Sequence, residues 1–119
     1  MKEQVNRQYC LTLELKDDDE LIKLYEEYHQ AGNVWPEVIE NIKDSGIKSM
    51  SIYRLNTHLI MILDVVKSFN FDIRAKINLN NEKVQEWELL MEKFQKVEDG
   101  QENNDKWKLM DRIFSLHEQ

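Results

Sequence analysis

Hydrophobic and polar positions alternate over residues 7–15, which predicts a β-strand with one buried face. The same alternation returns over residues 47–55, so a second strand is expected there. Residues 59–63 are apolar without a break, a pattern typical of a strand that is buried on both of its faces. Residues 107–116 carry several large apolar side chains and are predicted to form the last strand.

Apolar positions three and four residues apart predict three main helices, at about 18–31, 36–44 and 82–96. The three aspartates at 17–19 can cap the first of them, and Pro36 suits the first turn of the second. Asn80 and Asn81 could cap the third. Residues 67–80 are predicted to be irregular or partly helical, and residues 98–106 to form an exposed loop.

The predicted order is strand, helix pair, strand, strand, helix, strand, over a single domain at 1–119. This is an α+β chain with a ferredoxin-like βαββαβ plan, whose first crossover helix is split in two. One chain of this size has helices to cover only one face of its sheet. The doubly apolar third strand therefore predicts that the second face meets another subunit or a deep pocket, and a homodimer that packs sheet against sheet is expected.

Composition narrows the possible partners. The net charge of −7 argues against nucleic acid or an anionic membrane surface as the main partner. No apolar run approaches the roughly 20 residues that a membrane-spanning helix needs, and the polar first residues do not resemble a signal peptide. The single cysteine, Cys10, excludes an internal disulfide and suits the reducing cytoplasm.

The side chains best suited to catalysis or ligand binding lie between residues 25 and 37. Tyr25 and His29 are four residues apart, so a helix places their phenol and imidazole side chains on the same face. Trp35 follows a short loop, and Trp87 lies on the apolar stripe of the third main helix, where a core position is the ordinary interpretation. The three histidines and Cys10 share no spacing of a metal site. The residues alone predict a pocket with Tyr25, His29 and one or more tryptophans.

Five segments of the chain form a combined motif: Tyr25-x-x-Tyr28-His29, Val34-Trp35-Pro36-Glu37-Val38, Ile52-Tyr53, Val84-Gln85-Glu86-Trp87 and Ile113-Phe114-Ser115-Leu116. With these segments the chain resembles the L-rhamnose mutarotase family over about residues 7–116. Two longer segments, Tyr9-Cys10-Leu11-Thr12-Leu13 and Val84-Gln85-Glu86-Trp87-Glu88, look like the branch often labelled L-fucose mutarotase. The resemblance implies a dimeric α+β barrel that interconverts the α and β anomers of 6-deoxyhexoses, such as L-fucose or L-rhamnose, without a cofactor or metal.

By position, the resemblance assigns His29 as the proton donor and Tyr25 and Trp87 as sugar-binding residues. Trp35 and Tyr53 lie in matching segments and are further candidates for sugar contact. The chain departs from the family at three points. Two extra residues separate His29 from Trp35, a second sugar-binding tyrosine is replaced by Met50, and a second tryptophan is replaced by Glu88.

Mutarotation requires only proton transfers and rotation about one bond, and an imidazole exchanges protons readily near neutral pH. The function that the resemblance implies, a 6-deoxyhexose mutarotase and therefore an isomerase, suits these residue types. Two alternatives remain open, because a fold does not determine a function. The chain could be a small monooxygenase on the same fold, acting on a haem or polyketide-like ligand. It could also be a ligand-binding module that has lost the chemistry.

Overall fold

The computed structural model describes residues 7–96 and 106–119, which form one antiparallel sheet with four α-helices against it. The strands are β1 (Arg7–Glu14), β2 (Ile47–Leu55), β3 (His58–Val65) and β4 (Lys108–Leu109). The helices are α1 (Asp19–Tyr28), α2 (Pro36–Asp44), α3 (Phe71–Leu79) and α4 (Glu82–Met91). The sheet order is β2-β3-β1-β4, so the ferredoxin-like α+β plan is confirmed.

Local signals explain where the predicted helices begin. The Asp18 carboxylate accepts hydrogen bonds from the backbone N–H groups of Glu20 and Leu21, which caps α1 as the sequence predicts. Helix α2 begins at Pro36, the position where a proline costs no helical hydrogen bond. Asn81 caps α4 by accepting from the N–H of Val84. Helices α1 and α4 are both shorter than predicted, because each ends in turns rather than continuing as a helix.

Residues 67–80 contain more regular structure than the sequence indicates. Helix α3 occupies Phe71–Leu79, and the Asn70 side chain caps it by accepting from the N–H of Ile73. The second crossover is therefore split in two, like the first. The helix was missed because its apolar residues do not form an inward stripe, which is the signal that sequence patterns detect.

Strand β3 alternates within the single chain, although its sequence does not. Leu59, Met61 and Leu63 are buried beneath the helices, whereas Ile60 and Ile62 are half-buried on the opposite face. The second face is only half-buried by the described residues, so its covering by another subunit or a deep pocket stays a prediction. None of the described residues covers Ile60 and Ile62 completely.

The last strand is much shorter than the predicted range 107–116. Pairing with β1 is confined to Leu11 with Leu109 and Thr12 with Lys108. After Met110, whose N–H donates to the carbonyl of Cys10, the chain leaves the sheet, and residues Leu116–Glu118 form a short 3-10 helix. A strand needs a hydrogen-bonding neighbour as well as an apolar pattern, and the described part of this chain offers one only to the first residues.

Two hydrophobic clusters make up the core. One centres on Leu13, Tyr25, Trp87 and Phe94, and the other on Leu11, Met61 and Leu63. Trp107 packs against both of them. The predicted loop at 98–106 lies outside the described residues except for Lys106. Among the described residues, no helix is long and apolar enough to cross a membrane.

Candidate functional site

His29 occupies the C-terminal cap of α1, the point where the helix opens into a turn. Its ring lies against the ring of Tyr25, with centroids 4.3 Å apart, as expected for residues one helical turn apart. The edge of Trp87 approaches from α4, with its centroid 5.6 Å from the imidazole. The chain thus brings together the phenol, the imidazole and one tryptophan that the sequence singles out.

A backbone contact determines which nitrogen of His29 carries its proton. Nδ1 lies 2.7 Å from the carbonyl oxygen of Tyr25, and a carbonyl can only accept, so Nδ1 is the donor. Burial lowers the pKa of His29, and the hydrogen bond to Tyr25 opposes this shift only in part. His29 is therefore a neutral imidazole at pH 7, and its Nε2 is free of a proton and can accept one.

Tyr25 is a core residue as well as a neighbour of His29. Its exposed fraction is only 4%, and it packs edge-on against Phe94. Burial raises the pKa of its hydroxyl, a hydrogen bond with the Gln95 side chain opposes that shift, and the charge of Glu88 adds to it. The hydroxyl is thus a neutral group held by Gln95, and a role for Tyr25 in direct sugar contact stays a prediction.

Two tryptophans extend the aromatic cluster, which we define as Tyr25, Tyr28, His29, Trp35 and Trp87. Trp87 is buried, with an exposed fraction of 6%, and its ring meets that of Trp35 at 5.3 Å. Trp35 is half-buried at the start of α2, and the Lys83 ammonium lies 5.8 Å from its ring. The cluster encloses one side of His29 in aromatic surface, which explains why its charged form is disfavoured.

Beside this cluster a cavity of about 360 Å³ opens between the sheet and α3. Its volume is at the lower end of the range of about 300–1,000 Å³ that small-molecule pockets occupy. Apolar side chains of the sheet form one wall and Trp107 forms another, while the polar residues on its lining are Asp72, Arg74, Asn78 and Glu88. Tyr25, His29 and Trp87 lie outside this lining. We call this space the α3 cavity.

Glu88 lies where the aromatic cluster and the α3 cavity meet. Its carboxylate Oε1 lies 3.3 Å from the Nζ of Lys106, whose side chain is fully buried. The same Nζ donates to the Glu88 carbonyl at 3.1 Å and approaches Glu92 at 3.9 Å. The charge of Glu88 acts on Tyr25 in the cluster and on Arg74 in the cavity, so it connects the two regions electrostatically.

The remaining candidates are divided between these places. Met50 is half-buried and packs against the cluster of Leu11, Met61 and Leu63 beside the cavity. Tyr53 lies on the other face of the sheet, with an exposed fraction of 62%, so the structure does not bring it to His29. Sequence reasoning placed Tyr53 in the site because it matched a family segment, and strand alternation decides which face it occupies.

Sequence reasoning missed the polar residues that α3 contributes. Arg74 and Asn78 are four residues apart and both line the cavity. That spacing was the available signal, but it is common on solvated helix faces. Within residues 7–96 and 106–119, no three metal-binding side chains are grouped closely enough to hold an ion.

Comparison with known proteins shows which family this chain is similar to. The model of the L-rhamnose mutarotase family matches residues 8–116. An L-fucose mutarotase of Xanthomonas campestris is 36% identical over 109 residues, covering 92% of this chain and 87% of that protein. A UPF0734 protein of Dictyostelium discoideum is 39% identical over 92% of this chain and 90% of its own length. The crystal structure of an L-rhamnose mutarotase from Formosa agariphila superposes with a TM-score of 0.68 at 21% identity, covering 92% of this chain and 98% of that one.

Proposed function

Because the chain belongs to the L-rhamnose mutarotase family, a family of isomerases, we propose that it interconverts the α and β anomers of a 6-deoxyhexose such as L-fucose or L-rhamnose. The observation that carries this proposal is the state of His29. A neutral imidazole with its proton on Nδ1 presents Nε2 as a base, in surroundings that make its charged form a ready acid. Mutarotation needs both of these properties in turn.

We propose that Nε2 of His29 removes the proton from the anomeric hydroxyl. The bond between the anomeric carbon and the ring oxygen then breaks, the carbon becomes an aldehyde, and the ring oxygen receives the proton from the imidazolium. One nitrogen can serve both oxygens because both are attached to the same carbon. After rotation about the bond to the aldehyde carbon, the reverse steps close the ring with the opposite anomeric configuration.

Electrostatics support both halves of this cycle. The Tyr25 carbonyl accepts from Nδ1–H and so stabilises the imidazolium while it exists. Burial makes that imidazolium less stable than in water, so it releases its proton readily to the ring oxygen. A single acid–base group of this kind typically accelerates a reaction by about 10²–10⁴, which suffices for a reaction that also proceeds in water.

We also propose which cofactor, partners and compartment the reaction has. Proton transfer and bond rotation call for no cofactor, and the substrate is a neutral monosaccharide. The net charge of −7 disfavours nucleic acid as a partner, and the single cysteine suits the cytoplasm. These assignments are parts of the proposal.

Saturation-transfer NMR of anomer exchange with L-fucose, L-rhamnose and related sugars tests the function directly. We expect exchange well above the buffer rate, and His29→Ala should slow the catalysed exchange by about 10²–10⁴. The matched control is His117→Ala, an exposed histidine near the C-terminus, which should leave the rate unchanged. If folded His29→Ala keeps the wild-type rate, His29 is not the acid–base group. Sugar binding without any exchange would indicate a binding module instead.

We also propose that the protein is a homodimer in which sheets pack face to face. The face of the sheet away from the helices leaves Ile60 and Ile62 half-buried and Tyr53 exposed. Beyond β4, the exposed fractions of Ile113 and Phe114 are 96% and 64%. Apolar surface of this extent near the sheet edge and on one face is typical of an interface, and a second copy of the chain supplies matching surface.

The two faces of β3 provide a matched pair of variants for this proposal. Ile62→Asp changes the open face and should give a folded monomer by light scattering. Met61→Asp changes the buried face and should unfold the chain, because a charge would be buried without a partner. A wild-type protein that is monomeric at micromolar concentration would contradict the dimer.

A further inference from the structure

Helix α3 directs two polar residues toward the cavity and leaves two isoleucines exposed, although Phe71 and Ala75 also line the cavity. Ile73 and Ile77 are exposed, whereas Arg74 and Asn78, each one position further along, line the α3 cavity. A helix against a core ordinarily buries apolar residues in preference to polar ones, so partly buried Arg74 and Asn78 beside exposed Ile73 and Ile77 depart from the usual arrangement. Conflicts of this kind between local sequence and fold concentrate at functional sites.

Arg74 and Asn78 also carry unused hydrogen-bonding capacity. Arg74 Nε and Asn78 Oδ1 are buried, and neither has a hydrogen-bond partner among the described residues. Buried polar atoms in folded proteins are nearly always paired, so two unpaired ones on one cavity wall require an explanation. Because the residues are one helical turn apart, this donor and this acceptor belong to side chains on the same side of the helix.

The charges around the cavity indicate a neutral ligand. Asp72 and Glu88 line the same space as Arg74, so an anionic ligand would meet two carboxylates as well as one guanidinium. Lys106 pairs with Glu88 from a fully buried position. Trp107 and the apolar side chains of the sheet supply surface for C–H groups. Hydroxyl groups that both donate and accept, on a partly apolar frame, meet all of these requirements.

We infer that Arg74 and Asn78 are specificity-determining residues that bind neighbouring hydroxyl groups of a neutral monosaccharide in the α3 cavity. Arg74 Nε–H donates to one hydroxyl oxygen, and Asn78 Oδ1 accepts from the next hydroxyl. The sugar's C–H surface lies against Trp107, and its anomeric end points toward Glu88 and the aromatic cluster. The choice of a monosaccharide rests on the proposed function, whereas the cavity and its unpaired groups do not.

Binding can be measured independently of catalysis, because Trp107 is the tryptophan that lines the cavity. Protein labelled with fluorotryptophan gives separate fluorine NMR signals, and Trp107→Phe identifies the Trp107 signal. Titration with L-fucose should shift that signal saturably, with smaller changes at Trp35 and Trp87. L-Fucose 1-phosphate should bind more weakly than L-fucose, and tighter binding of the phosphate would overturn the assignment of a neutral ligand.

Variants of α3 then test the two residues. Arg74→Lys keeps the charge but loses the planar Nε–H, and should raise both the apparent Kd and KM about tenfold, the range for a charged hydrogen bond. Asn78→Leu should raise them about threefold to tenfold, with kcat within about twofold of the wild type. The matched control is Ile77→Leu, which changes the exposed side of the same helix. Asn78→Ser provides a second variant should Asn78→Leu fail to fold.

The outcomes separate this inference from the proposed function. Suppose that the wild-type protein exchanges anomers, that sugar does not shift the Trp107 signal, and that folded Arg74→Lys has an unchanged KM. These results would overturn the inference without contradicting the proposed mutarotase function. A shift of Trp107 that Arg74→Lys weakens, without any anomer exchange, would support the inference and refute the mutarotase. If Ile77→Leu raises KM as much as Asn78→Leu does, the effect belongs to helix stability, and the assignment of Asn78 is wrong.

Discussion

The aromatic cluster around His29 and the α3 cavity are neighbours, but they are built in opposite ways. The cluster is tightly packed and mostly apolar. It disfavours the charged forms of its own titratable groups, because burial lowers the pKa of His29 and raises that of Tyr25. The cavity is open enough for a small molecule, and two atoms on its wall, Arg74 Nε and Asn78 Oδ1, have no hydrogen-bond partner among the described residues. In the proposed mechanism, the cluster prepares His29 for proton transfer and the cavity offers hydrogen bonds to the sugar.

Under the two proposals, this small domain separates chemistry from recognition. Exclusion of water lowers the pKa of an acid–base group, whereas recognition of a ligand needs space and unpaired donors and acceptors. Glu88 lies at their border and acts on both Tyr25 and Arg74. The predictions below test whether the two regions behave as distinct parts, beginning with that border.

The largest effect is expected for the stability of Glu88→Gln. Lys106 would remain fully buried while losing its nearest carboxylate, and breaking a buried ion pair costs about 3–5 kcal/mol of the free energy of unfolding. We expect the lower end of that range, because Glu92 also lies within 3.9 Å of Lys106. Urea denaturation measures the change.

Two further variants make the Glu88 result interpretable. Glu86→Gln removes a carboxylate from an exposed pair with Lys83 on the same helix and should cost less than about 0.5 kcal/mol. Adding Lys106→Met to Glu88→Gln should recover most of the lost stability, since no buried charge is left unpaired. If Glu88→Gln is as stable as Glu86→Gln, the border is solvated and the regions are not coupled there.

The second prediction concerns pH. In the proposed mechanism only neutral His29 can start the reaction, so the exchange rate should be flat above pH 7 and fall about tenfold per pH unit below the lowered pKa. The shift of Trp107 by sugar should not follow the same titration. A rate that falls instead near pH 6.5 or above would show that burial does not lower this pKa in solution.

The same shift predicts how stability depends on pH. The folded-state pKa of His29 lies below the unfolded value of about 6.5, so between the two values the unfolded chain binds more protons. The free energy of unfolding should therefore decrease as the pH falls from about 6.5 through the lowered pKa. His29→Gln should remove this part of the dependence, and denaturation curves of the two proteins across that window measure it.

A smaller effect is expected for Tyr25→Phe, which keeps the ring against His29 and removes the hydroxyl. The hydrogen bond with Gln95 is lost, so stability should decrease by about 0.5–1.5 kcal/mol. Anomer exchange should slow less than in His29→Ala, because the backbone carbonyl that orients His29 remains. An equal loss of exchange in both variants would show that the hydroxyl itself transfers a proton.

The smallest effect concerns the choice of sugar. Met50 and Glu88 stand where the resemblance expects aromatic sugar-binding residues, so we expect L-fucose to exchange faster than L-rhamnose. Met50→Tyr should shift the ratio of the two exchange rates toward L-rhamnose by about a few-fold, the effect expected of one hydrogen bond. Met110→Tyr, which changes an exposed methionine, is the control and should leave the ratio unchanged. A wild-type preference for L-rhamnose would contradict the ranking.

Much of the fold could be predicted from the sequence because its signals are local. Alternation located β1 and β2, and Pro36 located the start of α2, since a proline at the first helical position is favourable by itself. The pairing of Tyr25 with His29 followed from helix geometry alone. The relatives then confirmed the family that these residues resemble.

Only the tertiary structure decided the rest, because each missed feature depends on what lies opposite a segment. Helix α3 has no inward apolar stripe. Only the structure shows that its Arg74 and Asn78 line a cavity together with Trp107 and residues of the sheet. Tyr53 was assigned to the site by resemblance, but the strand register directs it to the other face. The protonated nitrogen of His29 is determined by a carbonyl one turn back, at a helix end that the sequence places about three residues too late.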